Sequence, residues 1–418
     1  MRTIRLWIAS IVAACTLACT GGAQELVITN ARILDGRGGV IERGAIVVRD
    51  GRIVSVAAGD SAVAGGERID ASGMTVMPGL VEGHRHLIPG GTDPAQWLAT
   101  EAAPTMQQFI EAGFTTVFSA IDPTEQIIEL RRRLAAGEVV GPRLLAAGLV
   151  MLSRAPLGGG AGDPARTDSS RGGQRQSQPE YAIPEADTRA AVQRLAAAGV
   201  DAIKTLLITT VGGTEQATLA IVVDEAKRNG LPTVTHAVTV RDTVAAVEAG
   251  VTMLVHTPHV DLLDEETARK IATAGIPMTS TLGVFVPYFN ADNQPLFRDM
   301  QPFPWNTLPS AGNGPVNARL LWEAGITYAY GTDTSHAPRD SLAHELRPLS
   351  LVFSPRDLVR ILTYNAAVAI GLGEETGSLE AGKLADIIIV DGDPLTDIYD
   401  VLDVEVVIKE GRIVVDKR

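Results

Sequence analysis

Cysteine is almost missing from this 418-residue sequence: there are two, Cys15 and Cys19, and both lie close to the N-terminus. A disulfide framework or a cysteine-built zinc module is thereby excluded from the body of the chain. Aromatic residues are also scarce, at 4% against 45% hydrophobic residues in total, while glycine reaches 42. Small aliphatic side chains with many tight turns suit an α/β protein better than an aromatic-rich sandwich. Basic residues are outnumbered as well, with 36 Lys and Arg against 49 Asp and Glu. The formal net charge is −13, and a diffuse acidic surface disfavours nucleic acid and anionic membranes, which leaves a small-molecule substrate as the better fit. The length exceeds the usual single core, so one large domain with an appendage, or two domains, is expected.

The first residues, "MRTIRLWIASIVAACTLACTGGAQE", carry Arg2 and Arg5, then an apolar stretch, then small residues. This is the pattern of an export signal over 1–23, too short for a spanning helix with polar flanks. Its removal would take the charge from −13 to −15, since it carries two arginines and no acid. Two outcomes compete. A cut after Ala23 would release a periplasmic or secreted protein. "TLAC" instead resembles an imperfect lipoprotein box, with Thr16 where leucine is usual, that would acylate Cys19 and give the only membrane attachment expected.

Residues 24–77 read as short strands between glycine turns, with two Asp-Gly pairs as hairpin signals. Residues 371–418 repeat that style in "LADIIIVDGDP" and "DVEVVIKEGRIVVDKR". The two ends are expected to form one small β-sandwich domain. Between them, over 78–370, strand-length apolar runs alternate with helical-period segments. The eight runs are "LVEGHRHL", "TTVFSA", "RLLAAGL", "DAIKTLLI", "PTVTH", "TMLVH", "IPMTSTL" and "ITYAYGTD", which predicts a (β/α)8 TIM barrel with its chemistry at the C-terminal mouth. Residues 156–184 are polar and rich in Gly and Arg; a mouth lid and a simply flexible segment are equal readings.

Only seven histidines are present, and four stand at expected strand ends: His84 and His86 on the first run, His236 closing the fifth, His256 closing the sixth. Residues i and i+2 of a strand share a face, so His84 and His86 can grip one ion while Arg85 points away. Lys204 lies inside an apolar run and Asp333 closes the eighth. Neither charge is comfortable there alone, so both suggest one shared site, with a structural ion pair as the alternative.

The stretches "NARILDG", "PGLVEGHRHL", "GVDAIK", "THA", "MLVHTPH", "GTD", "HEL" and "GSLEAGKLADIIIVDGDPLTDI" together resemble the amidohydrolase superfamily, in the branch of imidazolonepropionase-like proteins and metal-dependent Xaa-Pro-type dipeptidases. The resemblance covers essentially everything after the leader. It implies that His84, His86 and Asp333 hold one divalent ion, zinc or a similar metal, and that His236 and His256 hold the second. It also implies that Lys204, carboxylated by carbon dioxide, bridges the two as a carbamate. Two dications about 3.5–4 Å apart need an anionic bridge, and a carbamate supplies one while removing the lysine's own positive charge. Asp333 would then be the catalytic proton carrier.

Substrate contacts do not transfer. The fourth run continues "LLITTVGG" where relatives often show a Ser-Gly-Gly loop, and the second ends "FSAIDP" without a charged residue often seen there. His259, three residues past His256, reads as a solvent-exposed loop histidine or as a substrate contact. His336 is similar. Tyr288 and Arg154 are candidates for a substrate carboxylate, and His344 is expected to pack or hydrogen-bond within a helix. The reading as a whole is an exported binuclear amidohydrolase acting on a dipeptide or N-acyl amino acid. Its alternatives are a cyclic amide, ester, lactone or phosphotriester hydrolase, and a non-catalytic surface binding protein. A homo-oligomer is the expected assembly, although no motif encodes it.

Overall fold

In the computed structural model, residues 25–60, 65–154, 181–286, 291–292 and 308–418 are described. The chain opens with β1 (Glu25–Leu34), β2 (Val40–Arg49), β3 (Arg52–Ala58), β4 (Glu67–Asp70) and β5 (Met74–Pro78). The next eight strands are β6 (Leu80–Arg85), β7 (Phe114–Ser119), β8 (Arg143–Leu149), β9 (Ala202–Leu206), β10 (Thr233–His236), β11 (Met253–Val255), β12 (Met278–Thr279) and β13 (Tyr328–Ala329). The last three are β14 (Ile387–Asp391), β15 (Val404–Lys409) and β16 (Arg412–Asp416).

Strands β6 to β13 form one parallel sheet in sequence order, one strand from each of the eight expected runs. Their buried patterns are near-continuous, as covering on both faces requires. The ring is drawn together by backbone bonds from Gly83 N–H to the Tyr330 carbonyl and from the Thr332 and Asp333 N–H groups to the His84 carbonyl. Helices follow most strands. Glu215–Arg228 carries acid in its first turn and base in its last, and Val240–Ala249 starts on the Thr239 side chain and stops at left-handed Gly250. Inside the barrel, Val81, Phe118, Ala147, Ala202, Val234, Met253 and Ala329 pack on Ala366, Ala367 and Ala369. That short helix, Ala366–Ala369, packs against β6, β12 and β13.

The two chain ends build the second sheet, ordered β16-β15-β14-β5-β1-β2-β3, with β4 also on β1. Its core draws Ile28, Ile46, Ile53, Ile69, Val76, Ile389 and Val406 from seven different strands. The edge of β3 bonds to residues 382–384 just ahead of β14, so the sheet wraps around this core. Both sharp hairpins put two residues at positive φ, Asp50–Gly51 and Glu410–Gly411. The right-handed twist of the paired strands favours that turn geometry. The outer barrel core also includes Ile388, Val390, Val404 and Val407, so the sheet packs directly on the barrel. Among the described residues, no helix is long and apolar enough to cross a membrane.

Candidate metal centre

The site begins at an irregularity in β6. Glu82 pairs with Val117 and Arg85 with Ser119, so three residues of β6 advance against two of β7. Such a bulge re-aims side chains. Here it turns His84 into the mouth while Arg85 runs outward over the Phe109 ring. Across the seam, glycine is required at position 331: a Cβ there would sit 3.0 Å from both His84 N and Cβ, and would overlap Thr279.

Asp333 is the hub. His84 Nε2 lies 3.1 Å and His86 Nε2 2.8 Å from its Oδ1, and His256 Nε2 lies 3.9 Å from Oδ2. The His236 and His256 rings stand edge to face with centroids 4.3 Å apart, and those of His84 and His256 are 5.5 Å apart. Lys204 points inward from β9 in step with Ala202, while Ile203 between them joins the outer core. Three of the six described non-glycine residues with positive φ, His256, Thr281 and Asp333, stand at ends of barrel strands around this mouth. Backbone of that kind costs roughly 1–3 kcal/mol per residue and persists only where the surroundings enforce it.

Electrostatics matches what metal ligands need. Burial, then the nearby Lys204 ammonium, pushes His84 down to about 3. Burial and the neighbouring His236 hold His256 well below its usual value, with Lys204 adding to the effect. Burial would raise Asp333, but His256 and the hydrogen bonds from His84 and His86 hold it well below the usual carboxylate range. Neutral imidazoles and an ionised carboxylate are the ligand forms that bind a cation. Ligand atoms of His84, His256 and Asp333 all lie within 4.8 Å of one another. The 2.8–3.1 Å separations around Asp333 Oδ1 are close to the span between ligands sharing one ion through ~2.0–2.2 Å bonds. His84 Nδ1 is buried without a hydrogen-bond partner among the described residues. Imidazole with carboxylate therefore fits a zinc-like divalent ion.

Supporting residues that sequence reasoning did not single out surround these ligands. Glu82 accepts from His84 N at 3.1 Å, Thr332 N at 3.0 Å and the Thr332 hydroxyl at 2.9 Å, which ties β6 to the segment carrying Asp333. Burial raises Glu82 to about 7. Arg85 donates to Thr332 Oγ1, Ser341 Oγ and the His336 carbonyl. The "FSAIDP" stretch does carry a buried acid, Asp122, which accepts from Leu87 N, Ile88 N and Ser119 Oγ and fixes the chain just after His86. The signal available for Glu82 was a charge inside an apolar run. Its partner Thr332 lies 250 positions away in sequence, where spacing is silent.

The remaining candidates fall differently. His259 is not exposed: it is 3% accessible, stacks on Phe285, and among the described residues has no hydrogen-bond partner on either ring nitrogen. The turn carrying it is drawn inward because its N–H donates to the Val238 carbonyl and Asn317 caps the Pro258 and Asp261 carbonyls. Burial pushes His259 down to about 3. His336 is exposed, and His344 is buried in the helix Pro338–Ser350 with Nε2 2.9 Å from the Gly283 carbonyl. Arg154 is a surface residue paired with Asp187 at 3.3 Å. Tyr288, the leader and most of 156–184 lie outside the described residues.

A family model described as "Amidohydrolase family" matches residues 75–414. An imidazolonepropionase of Mesorhizobium japonicum is 27% identical, over 84% of this chain and 87% of that protein. A solved Xaa-Pro dipeptidase with methionine bound in its active site is 25% identical, with a TM-score of 0.71, over 93% of this chain and 99% of the other. Solved phenylurea hydrolase B, at 23% identity and a TM-score of 0.73 over 94% of this chain and 97% of its own, shares the fold.

Proposed function

The chain belongs to the amidohydrolase family, a hydrolase of carbon–nitrogen bonds, and on that premise we propose that it is a binuclear metal enzyme cleaving the amide bond of a dipeptide or N-acyl amino acid. The observation that carries this reading is the convergence on Asp333 of histidines from β6 and from the end of β11, with Lys204 directed into the same space. In it His84, His86 and Asp333 hold one ion, His236 and His256 the other, and Lys204 joins them as a carbamate. An unmodified ammonium beside these imidazoles is adverse, as its depression of His84 and His256 indicates; carboxylation would reverse the sign.

Bound divalent ions would acidify a water and polarise the scissile carbonyl. Asp333 does the proton work. Its Oδ1 is occupied by His84 and His86, whereas among the described residues Oδ2 has only His256, at 3.9 Å. The proton taken from the water is therefore held at Oδ2 and delivered to the leaving nitrogen. His259 and Tyr288 are proposed substrate contacts. His259, neutral near pH 7, would offer one donor and one acceptor rather than a charge.

The 27% identity to an imidazolonepropionase over most of both chains favours a second reading, opening of a cyclic amide at the same centre. Metal analysis of the mature protein with a panel of dipeptides, N-acyl amino acids, cyclic amides, lactones and phosphotriesters separates them. About two ions per chain with turnover of linear amides is expected. Fewer than one ion in chelator-free protein would overturn the binuclear reading, and turnover confined to cyclic amides would select the alternative. We also propose export through the leader over 1–23. N-terminal sequencing of the mature protein is expected to begin after Ala23 or at an acylated Cys19.

A further inference from the structure

We propose that Glu345 is a positioning residue for the metal centre, acting through Thr281 to hold the His256 ring with Nε2 toward Asp333. The inference rests on the reading of His256 as a ligand. Glu345 projects from the helix Pro338–Ser350 and is 1% exposed. Its carboxyl group accepts from Ser280 Oγ at 2.7 Å, Leu282 N at 2.8 Å and Gly283 N at 2.6 Å. These donors flank a single residue, Thr281, which stands at φ 52°. That conformation is disfavoured for a β-branched side chain and needs enforcement from outside.

Its consequence is specific. Thr281 N–H bonds to the Gly331 carbonyl, and Thr281 Oγ1 lies 2.6 Å from His256 Nδ1. An imidazole that binds a metal through one ring nitrogen carries its proton on the other. With Nδ1–H donating to Thr281, Nε2 presents a lone pair on the side of Asp333, in the way that an outer partner fixes a metal-binding imidazole. The neighbouring residue grips the same turn: His344 Nε2 donates to the Gly283 carbonyl at 2.9 Å. Glycine at 283 leaves room for both side chains, since a Cβ would lie 2.8 Å from Glu345 Oε2 and 2.9 Å from His344 Cδ2.

A carboxyl group in this position is destabilising by itself, because burial pushes it up to about 8 against three neutral donors. Turn formation alone would not need an ionisable group there. Holding Thr281 in place is a use that accounts for it.

The test is chelator competition with zinc on the full-length protein, reading the affinity of each ion. Thr281→Val, which keeps shape and removes the hydroxyl, is expected to weaken one ion by about 10- to 100-fold, the usual loss for an outer partner. Thr281→Ser should retain wild-type affinity. Glu345→Gln should weaken that same ion, and adding it to Thr281→Val should cause little further loss, because both act on one contact. If Glu345→Gln does not fold, Ser280→Ala removes one of its donors and should weaken the same ion to a smaller degree. Glu345→Gln or Ser280→Ala with lowered thermal stability but both affinities unchanged would overturn the proposal. So would full additivity in the double variant. Wild-type protein binding no zinc would overturn the metal reading instead.

Discussion

The two halves of the mouth are built differently. On the seam between β6 and β13, His84, His86 and Asp333 already touch, at 2.8–3.1 Å, and Glu82, Thr332 and Arg85 lock their backbone. On the opposite side, β9 to β11 bring Lys204, His236 and His256 together with ring edges meeting and a cation that depresses its neighbours. Protein atoms alone complete the first half. In the reading proposed above, carboxylation of Lys204 reverses the charge that depresses His84 and His256, which would tie the second half to a modification.

Asp333→Asn strikes the complete half at its hub and should have the largest effect, a fall in kcat of about 10²- to 10⁴-fold with KM changed far less. Steady-state kinetics with parallel metal analysis measures this, and a loss under about tenfold would contradict the proton role. On the contingent half, Lys204→Ala should remove one of two ions and most activity, while a small carboxylic acid in the buffer restores part of both. Lys204→Arg should not be rescued, since guanidinium stays charged. An intact mass showing unmodified lysine in active, metal-replete protein would erase the distinction between the halves.

Thr332→Val tests the lock directly. Its hydroxyl donates to Glu82 and accepts from Arg85, so its loss strands buried polar groups and should cost about 1–3 kcal/mol by chemical denaturation. The Thr205–Thr235 hydroxyl pair between β9 and β10, 2.9 Å apart, is the control. Replacing both by valine removes the two partners together and should be nearly neutral.

The smallest effect is in pH. His84 and His259 fall to about 3, His344 to about 4, and His256 well below its ordinary value. The folded chain then binds fewer protons than the unfolded chain below about 6.5, and metal-free protein loses stability as pH falls. Glu82 and Glu345, raised to about 7 and 8, act oppositely: their contribution is full below about 4.5 and is lost as pH rises through 7 to 8. Stability of metal-stripped protein should therefore peak near pH 6.5–7. Glu345→Gln should flatten the alkaline side by up to about 1.4 kcal/mol per pH unit; an unchanged slope would show that Glu345 is not buried as a neutral acid.

Much of this was legible in advance, and the reason is local. Each of the eight runs from "LVEGHRHL" to "ITYAYGTD" contains a barrel strand, because a strand buried on both faces must be apolar over its own few residues. The ligand candidates were visible as polar residues interrupting those runs. Glu345 was hidden inside "HEL", since its meaning depends on Ser280, Leu282 and Gly283. The burial of His259 depends on Val238, Asn317 and Phe285, contacts that no periodicity in "HTPH" encodes.

The small sheet has a bearing on timing. Its central pairing sets Val76 of β5 against Ile389 of β14, and the turn at Gly411 rests on the turn at Gly51. During synthesis, which runs from the N-terminus, β1 to β5 must wait with an open apolar edge until almost the whole chain has emerged. Loop closure over such a separation is slow, and an unpaired edge invites association with other chains meanwhile. The last strands thus decide when this protein stops being prone to aggregate, and loss of β14 to β16 would leave that edge permanently open.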